Sequence, residues 1–501
     1  RFNKFQVLTC PWCGASMIPS QKSSDLGREN WGYRMDDKGH FYLRCVRPQC
    51  PFTSKLPVQV VDEELYRDPP TLLFATVDKF AMLTWNEYVG KFFGINSSNR
   101  APELIIQDEL HLISGPLGSI VGLYETAIDF LCSAKGVYPK IVASTATIRR
   151  ASDQCRQLYN RSVRQFPPPG IDSTNSFFAK EADVTKKPGR MYIGISPSGK
   201  TKAMLETKVI STLLQYVSML DVDDNIKDQY WTLTAYFNSL RDLGKCSGLV
   251  DDDIKDFMKR LCRRVATDRI IRPIAMAEEL TSRVPTTTLV KRLKKLENTT
   301  YSKENQAARI YAINVLLATN MISVGVDVER LNLMTVVGQP KLTSEYIQAT
   351  SRVGRKYPGL VCVLYDATKS RDRSYYEQFH AYHESFYRYV EPTSVTPFSK
   401  PALDRALHAV LVGIARNCHP ELRRDEDARN FTGDYPFLET IKKRLLERIE
   451  TVYSHLRPEV HLDMTSVSNQ IDDFYEEWAR RANEIQPEDK FYYGLCFMLK
   501  P

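Results

Sequence analysis

Two adjacent carboxylates at the end of an apolar strand are the sharpest chemical feature of this sequence. Residues 104–107 predict a buried strand, and Asp108, Glu109 and His111 follow it. Open α/β sheets bind ligands at the carboxyl ends of their strands. One acid can hold Mg²⁺ through water while its neighbour deprotonates an attacking water, as hydrolysis of a phosphate anhydride requires. Taken alone, a four-residue pattern such as 108–111 is more often an exposed acidic turn than a catalytic site.

Hydroxyl and guanidinium side chains elsewhere in the chain would suit the same chemistry. Ser144, Thr145 and Thr147 follow a second apolar strand, where a hydroxyl can bond to a histidine on the neighbouring loop. Arg352 and Arg355 are spaced to project from one face of a helix. Guanidinium groups are natural partners of a phosphoryl group during transfer, although a structural salt-bridge role would explain an isolated pair.

Four of the 11 cysteines are crowded into the first fifty residues. Cys10 and Cys13 form one close pair, and Cys45 and Cys50 form another, so that two tight turns can point four thiolates at one tetrahedral ion. The other cysteines are single, and no secretory signal is visible. This favours a reducing compartment and a structural Zn²⁺ over two disulfides or four free thiols. With protein ligands at all four positions, the site would be closed and non-catalytic.

The elements that must position these residues alternate between strand and helix. Short apolar runs that end in small or charged residues predict buried parallel strands of an α/β sheet. The predicted strands are 71–76, 104–107, 140–143, 190–195, 231–235, 314–318, 333–337 and 360–365. A proline-rich polar stretch at 166–189 suits a linker. Beyond residue 371, apolar residues at helical spacing, as in 403–416 and 435–456, predict an all-helical region.

Composition excludes several classes of protein. Of the 501 residues, 43% are hydrophobic and 26% charged, which is typical of a globular chain and not of a disordered or coiled-coil one. The longest apolar stretch is too short to cross a bilayer, so we expect no membrane partner and a cytoplasmic location. The net charge of +8 favours a polyanionic partner only slightly. The beginning at Arg1 suggests a fragment or a processed chain.

The order of these motifs resembles that of superfamily 2 helicases. Six segments carry the likeness, corresponding to the strand-contacting motif and to motifs II, III, IV, V and VI: 75–80, 108–111, 143–147, 235–241, 318–327 and 348–355. Within that superfamily, the sequences of three segments most resemble the helicase-like subunits of DISARM phage-defence systems. These segments are 107–118, 346–355 and 395–399. The resemblance covers about residues 71–370.

The resemblance implies an α/β fold with two RecA-like parallel-sheet lobes, the first of them incomplete, an inserted zinc ribbon and a C-terminal all-helical region. The expected boundaries are 1–56 for the ribbon, 57–165 for the C-terminal half of the first lobe, 166–189 for a linker, 190–370 for the second lobe and 371–501 for the helical region.

The resemblance to superfamily 2 helicases also implies a role for each matched residue. Asp108 would hold Mg²⁺, and Glu109 would be the general base for the water that attacks ATP. The residues that couple or contact the nucleotide would be His111, Ser144, Thr145, Thr147, Gly325 and Asp327, with Gln348, Arg352 and Arg355 near the γ-phosphate. The residues along the tracked DNA strand would be Thr76, Lys79, Asn238 and Thr319. Closure of the two lobes would then drive translocation.

One motif of the family is missing before Asp108. No glycine-rich loop ending in Gly-Lys-Thr or Gly-Lys-Ser precedes it, and such a loop normally cradles the phosphates. The single match, at 194–201, opens the second lobe, which is the wrong place in the order of motifs. We interpret it as a structural strand-to-helix turn near DNA phosphate, with a second anion site as the alternative. The missing loop is expected upstream of Arg1.

The sequence therefore predicts an ATP-dependent DNA helicase or translocase that acts in antiphage defence. Its cofactors would be ATP, Mg²⁺ and structural Zn²⁺, and its partners would be DNA and a companion defence subunit. A non-hydrolysing DNA-binding scaffold is one alternative, motivated by the missing loop. An RNA helicase or a DNA-repair helicase is another, because backbone tracking is insensitive to the type of sugar at this level.

Overall fold

The computed structural model describes most of the chain. The described residues are 5–19, 27–145, 151–168, 170–172, 174–183, 185–187, 189–265, 270–323, 328–454, 462–486 and 491–493. Three of the predicted nucleotide-contacting residues, Thr147, Gly325 and Asp327, lie outside these ranges, so their roles stay predictions.

Strands and helices alternate through the middle of the described chain, and helices dominate its end. The strands are β1 (Tyr33–Met35), β2 (Phe41–Leu43), β3 (Leu104–Gln107), β4 (Lys140–Ala143), β5 (Arg190–Ile195), β6 (Leu233–Phe237), β7 (Glu278–Leu280), β8 (Val315–Ala318), β9 (Leu333–Val337) and β10 (Gly359–Leu364). The helices are α1 (Asp62–Arg67), α2 (Val77–Phe80), α3 (Gly115–Ser133), α4 (Ala151–Tyr159), α5 (Lys202–Met219), α6 (Asp224–Trp231), α7 (Leu240–Asp251), α8 (Asp253–Val265), α9 (Thr286–Asn298), α10 (Lys303–Ala307), α11 (Thr343–Thr350), α12 (Ser370–Glu377), α13 (Phe379–Glu384), α14 (Lys400–Cys418), α15 (Pro436–Tyr453) and α16 (Met464–Glu484). Short 3₁₀ helices span Arg28–Asn30, Ala81–Leu83, Val89–Phe93, Leu110–Leu112, Asn320–Ser323, Phe386–Tyr389, Pro420–Leu422 and Asp425–Asn430.

The second lobe is a six-stranded parallel sheet with helices on both faces. Its strand order is β5-β10-β9-β6-β8-β7, and Thr335 of β9 lies opposite Cys362 on one side and Ala235 on the other. Strands β6, β8 and β9 are buried at every residue. Successive side chains alternate between faces: Phe237 packs in one core with α5, α7 and α8, while Tyr236 packs in the other with α9, α11 and α13. The predicted parallel α/β architecture is confirmed here.

Three strand predictions in this lobe differ in their bounds from the structure, and one strand was missed. Those at 314–318 and 360–365 differ by one residue at one end or at both, since β8 is Val315–Ala318 and β10 is Gly359–Leu364. The strand predicted at 231–235 begins two residues later, because Trp231 ends α6 and its ring stacks on Tyr301 at 3.8 Å. Arg272 also lies over that ring, at 3.7 Å from its centroid. Strand β7 was not predicted, since its Glu-Glu-Leu sequence lacks the apolar run that marked the others.

The first lobe contributes a two-stranded parallel sheet in the described residues, formed by β3 and β4. In their register Leu104 is opposite Lys140 and Gln107 is opposite Ala143, so both strands end at the same level. The strand predicted at 71–76 is wrong. This segment pairs with no strand in the part of the chain that the structure describes, and a strand needs such a neighbour to satisfy its backbone groups.

The C-terminal region is helical, as predicted, and it shares its core with the first lobe. Helix α14 begins after Ser399 and packs along α3. Leu123 and Leu131 of α3 are buried in the same cluster as Leu411 and Trp478 of the helical region. Among the described helices, none combines the length and apolar character needed to span a bilayer.

The N-terminal segment is a small unit with its own core. Strands β1 and β2 pair antiparallel, with Tyr33 opposite Leu43. Buried Met17, Leu43 and Leu56 pack there against three of the four clustered cysteines. The apolar part of this core is therefore very small.

Candidate functional site

The carboxyl ends of β3 and β4 bring the acidic motif and the hydroxyl pair together. The backbone N–H of Ser144 donates to the carbonyl of Gln107 at 2.9 Å, and the N–H of Leu110 donates back to the carbonyl of Ser144 at 2.9 Å. The Ser144 hydroxyl donates to Asp108 Oδ1, which also accepts the Glu109 N–H at 3.0 Å. The structure therefore holds one oxygen of Asp108 firmly, while its side chain stays exposed to solvent.

His111 connects the acidic motif with the second lobe. Its Nδ1 lies 3.3 Å from Thr145 Oγ1 and 3.4 Å from Glu109 Oε2. Its Nε2 lies 2.6 Å from the side-chain nitrogen of Gln348 on α11. One assignment satisfies these contacts: Nδ1–H faces Glu109 and Thr145, and the Nε2 lone pair accepts from the Gln348 amide. The ring is 9% exposed, so few water molecules compete for these bonds.

The backbone at Glu109 adopts the left-handed conformation, with φ of 50° and ψ of 49°. Residues with a Cβ atom rarely adopt it, and such conformations cost about 1–3 kcal/mol. The surrounding hydrogen bonds between the β3 and β4 loops hold it in place. Strained backbone of this kind is concentrated at functional sites, which makes Glu109 the residue of this motif to test first.

The two arginines of the sixth motif do not lie on a helix, so the predicted shared helix face is wrong. Helix α11 ends at Thr350, and Arg352 and Arg355 lie in the turn that follows. This turn requires glycine at 354: its φ is 74°, and a Cβ atom there would come within 3.0 Å of Gly359 Cα. Its N–H donates to Asn332 Oδ1 at 3.1 Å, which ties the turn to the residue directly before β9.

The predicted DNA-contacting residues lie in both lobes. Thr76 is exposed and precedes α2, while Lys79 forms an ion pair with Asp62 at 2.5 Å. The hydrogen bond to this carboxylate raises the pKa of Lys79. Asn238 follows β6 and donates its amide to the backbone carbonyls of 337, 338 and 339, the middle one at 3.0 Å. Thr319 follows the neighbouring strand β8 and is 8% exposed. Their contacts with DNA stay predictions.

Structural contacts explain the two glycines and the final threonine of segment 194–201. A Cβ atom on Gly194 would lie 2.6 Å from the ring of Phe379, so close packing demands glycine there. Gly199 has a φ of 64°, and the Thr201 hydroxyl caps α5 by accepting the Met204 N–H at 3.2 Å. These contacts favour the interpretation as a strand-to-helix turn.

The four N-terminal cysteines converge, as the spacing predicts. Their sulfur atoms all lie within 4.8 Å of one another, and the Sγ atoms of Cys13 and Cys45 are 3.5 Å apart. Gly14 has a φ of 71°, which allows the tight turn after Cys13. A hydrogen bond from the Ala15 backbone lowers the pKa of Cys13, whereas burial raises that of Cys45. The cluster could hold one metal ion, and its four sulfur ligands suit Zn²⁺.

Comparison with known proteins agrees with this geometry. The family model for the helicase conserved C-terminal domain matches residues 274–357, which include β8, β9 and α11. The DISARM protein DrmA of Bacillus paralicheniformis is 37% identical over 530 aligned residues, which cover 97% of this chain. This chain is a DrmA homologue. It spans less than half of that relative, 45% of its length.

Two solved helicases are also similar in structure to this DrmA homologue. The DUF1998 helicase MrfA, bound to DNA and AMPPNP, is 15% identical with a TM-score of 0.49, over 70% of this chain and 42% of MrfA. The Mycobacterium smegmatis helicase Lhr, bound to single-stranded DNA and AMP-PNP, is 14% identical with a TM-score of 0.46. That match covers 71% of this chain and 40% of Lhr.

Two segments that carry the likeness to DISARM subunits pack against each other in this DrmA homologue. A Cβ atom on Gly118 would lie 2.5 Å from Val395, and one on Gly122 would lie 2.6 Å from Pro397. The Thr396 N–H donates to the Ser119 hydroxyl at 2.9 Å. The small residues of α3 therefore let the later segment lie directly on the helix that follows the acidic motif.

Gln154 is a supporting residue that sequence reasoning missed. Its side-chain amide donates to the carbonyl of Ile113 at 2.6 Å, and its Oε1 accepts the Thr393 hydroxyl at 2.5 Å. It is 1% exposed, so these bonds form away from water. Its only sequence signal is one amide in a short amphipathic helix, which cannot identify partners 41 and 239 residues away.

Proposed function

We propose that this DrmA homologue is the motor part of an ATP-dependent DNA helicase or translocase that acts in the cytoplasm against phage DNA. The contact that carries the proposal is the one from Gln348 to His111, which joins the second lobe to the acidic motif of the first. A histidine held between two lobes is placed to report the state of the nucleotide to the rest of the protein.

Each residue of the acidic motif has a role in the proposed hydrolysis. Asp108 would hold Mg²⁺, since carboxylate oxygens are the ligands this ion prefers. Mg²⁺ would neutralise charge on the phosphates of ATP. Glu109 would take the proton from the attacking water, and the contact with His111 Nδ1 would orient its carboxylate. Arg352 and Arg355 would stabilise the transferred phosphoryl group after closure of the lobes.

The proposal also needs a glycine-rich phosphate-binding loop, which the 501 residues do not contain ahead of Asp108. We propose that a segment outside this sequence supplies that loop, because the chain spans only 45% of DrmA. A companion defence subunit would then bind the assembled protein. The non-hydrolysing scaffold is the alternative in which no such loop is supplied.

The test is ATP turnover by the full-length protein with no nucleic acid, with single-stranded DNA and with RNA of the same sequence. We expect DNA to stimulate turnover well above the other two conditions. Stimulation by RNA alone would replace the DNA assignment with the RNA-helicase alternative. DNA binding without any hydrolysis would establish the scaffold instead.

Replacing Gln348 by alanine should lower DNA-stimulated turnover about fivefold, because it removes one neutral hydrogen bond worth about 1 kcal/mol between the lobes. The measurement is kcat at saturating ATP and DNA. Gln470→Ala is the matched control, since it removes an amide that donates to Asp404 at 3.2 Å on the helical region. A Gln348→Ala protein that turns over like the wild type would show that this contact does not couple the lobes.

A further inference from the structure

One end of the N-terminal unit is a tip formed by its two cysteine turns, 10–14 and 45–52. Trp12 lies in the first turn and is 68% exposed. Its ring meets that of Phe52 nearly at right angles, with the ring centroids 5.6 Å apart. The turns that gather the cysteines therefore also bring two aromatic rings together at the surface. Neither ring can bind a metal ion, and neither has a part in the proposed hydrolysis.

Both rings are attached to restricted backbone. Pro11 directly precedes Trp12 and Pro51 directly precedes Phe52, and a proline ring fixes the φ angle of its own residue. The Phe52 carbonyl accepts the Cys45 N–H at 2.8 Å, which closes the second turn. Burial of a large aromatic side chain is favourable, and a ring that is already held in place loses little entropy when it binds. An exposed ring on such a turn is therefore suited to a flat partner.

The exposed charges at the tip are positive. Arg47 is exposed, and its guanidinium donates to the Cys13 carbonyl at 3.4 Å, which places the cation against the first turn. Lys55 is exposed on the segment that is hydrogen-bonded to the end of β2. Neither cation pairs with a carboxylate among the described residues. Asp36 and Asp37 lie in the turn between β1 and β2, at the opposite end of these strands.

The cysteines do not reverse this balance at the surface. Four thiolates around one Zn²⁺ would carry two negative charges in total, but three of the four cysteines are buried. The charged groups that a ligand can touch at the tip are therefore the cations.

The opposite end of the unit is anchored beside the predicted DNA track. The Phe41 N–H, at the start of β2, donates to Glu64 Oε1 of α1 at 3.1 Å. The first residue of α1, Asp62, forms the ion pair with Lys79 at 2.5 Å. Lys79 belongs to the motif that is predicted to contact the DNA strand. The unit is thus bonded to this motif by one end, and its aromatic tip lies at the other.

We infer that this tip binds single-stranded DNA, with a base stacked on Trp12 and a phosphate held by Arg47. Every base presents a flat face that an aromatic ring can stack on, whatever the sequence. A guanidinium matches the oxygens of a phosphate group. The inference rests on the proposed function, since the bound strand would be the one that the motor tracks. The tip would give the protein a contact with that strand outside the two lobes.

The test measures binding of a fluorescently labelled oligothymidylate to the zinc-containing full-length protein without nucleotide, by fluorescence anisotropy. Trp12→Ala should weaken binding about tenfold, because a stacked base loses its aromatic partner. Trp12→Phe keeps a planar ring and should weaken binding less. Met35→Ala is the matched control, since Met35 is also 68% exposed but lies beside the hairpin turn at the other end of the unit. Wild-type affinity in Trp12→Ala would overturn the inference and would leave a protein as the partner of this tip.

Arg47→Gln provides an independent measurement if Trp12→Ala fails to retain zinc. It should reduce the slope of log K against log salt concentration by about 0.7, the value for one phosphate contact with a single strand. Arg47→Lys should restore the slope, and Lys38→Gln, at the hairpin turn, should not change it. An unchanged slope in Arg47→Gln would overturn the phosphate contact.

These binding measurements fail separately from the motor proposal. A wild-type protein that hydrolyses no ATP would contradict the motor and leave the oligothymidylate affinities as they are. Equal affinities in the wild type and both tip variants would contradict the tip and leave ATP turnover by the wild type as it is.

Discussion

Replacing Glu109 by glutamine should lower DNA-stimulated ATP turnover about 10²–10⁴-fold in the full-length protein, the range that a positioned general base contributes. Glutamine has nearly the same size as glutamate and can still accept a hydrogen bond from His111, so the loop between β3 and β4 should keep its shape. What it loses is the ability to take a proton from the attacking water. The loss should therefore fall on kcat, with little change in the KM for ATP.

Glu103→Gln is the matched control for this change. Glu103 lies just before the same strand, is exposed, and its carboxylate pairs with Arg100 at 3.0 Å. Its replacement should leave turnover within about twofold of the wild type, because an exposed ion pair contributes little. The expected pattern is a large loss at 109 and almost none at 103. Equal turnover in Glu109→Gln and the wild type would remove Glu109 from the catalytic role and leave its strained backbone without an explanation.

The juxtaposition of Asp108 with Ser144 and Thr145 was predictable because local rules determine it. Apolar runs marked β3 and β4 at their observed bounds, and parallel neighbours end at the same edge of a sheet. The contact of His111 with Gln348 was different, since no strand pattern relates the two lobes. The resemblance to a helicase family gave each residue a role around the nucleotide, but it did not predict a direct contact between them.

The failures have a common physical cause, which is that tertiary contacts decided the local structure. The spacing of Arg352 and Arg355 fits a helix, but α11 ends at Thr350, and the turn that follows packs Gly354 against Gly359. The apolar segment 71–76 has a composition typical of strands, but it has no neighbouring strand to pair with among the described residues. Local pattern is a weak guide wherever a distant segment fixes the backbone.

The local sequence pattern also could not predict that the helical region packs on the first lobe. Helical spacing predicted α14 and α15, yet their apolar faces could have packed on each other alone. Instead Gly413 lets Leu83 approach so closely that a Cβ atom would lie 2.0 Å from its Cδ1. Arg416, 1% exposed, donates to the carbonyl of Thr84 at 3.0 Å. Motion of the first lobe must therefore carry the helical region with it.

Changing Cys10 and Cys13 together to serine should abolish metal binding and unfold the N-terminal unit. Metal analysis of the wild-type protein should find about one Zn per chain, and the double variant should contain none. The free energy of structural zinc binding is large, about 10–16 kcal/mol in zinc-finger peptides, and it is coupled to folding. Here the metal-free unit has little else to hold it, because Met17, Leu43 and Leu56 are the fully buried residues of its described core outside the cysteines, and the other apolar side chains are only partly buried.

Cys262→Ala is the control, since this buried thiol lies on α8 of the second lobe and away from the cluster. It should keep the metal, which separates loss of a ligand from loss of any cysteine. Limited proteolysis should then cut the double variant within residues 5–56 while the six-stranded lobe resists, because the two units have separate cores. Retention of zinc in the double variant would contradict the four-cysteine site. Global unfolding would contradict the independence of the N-terminal unit and would mean that the metal also supports the lobes.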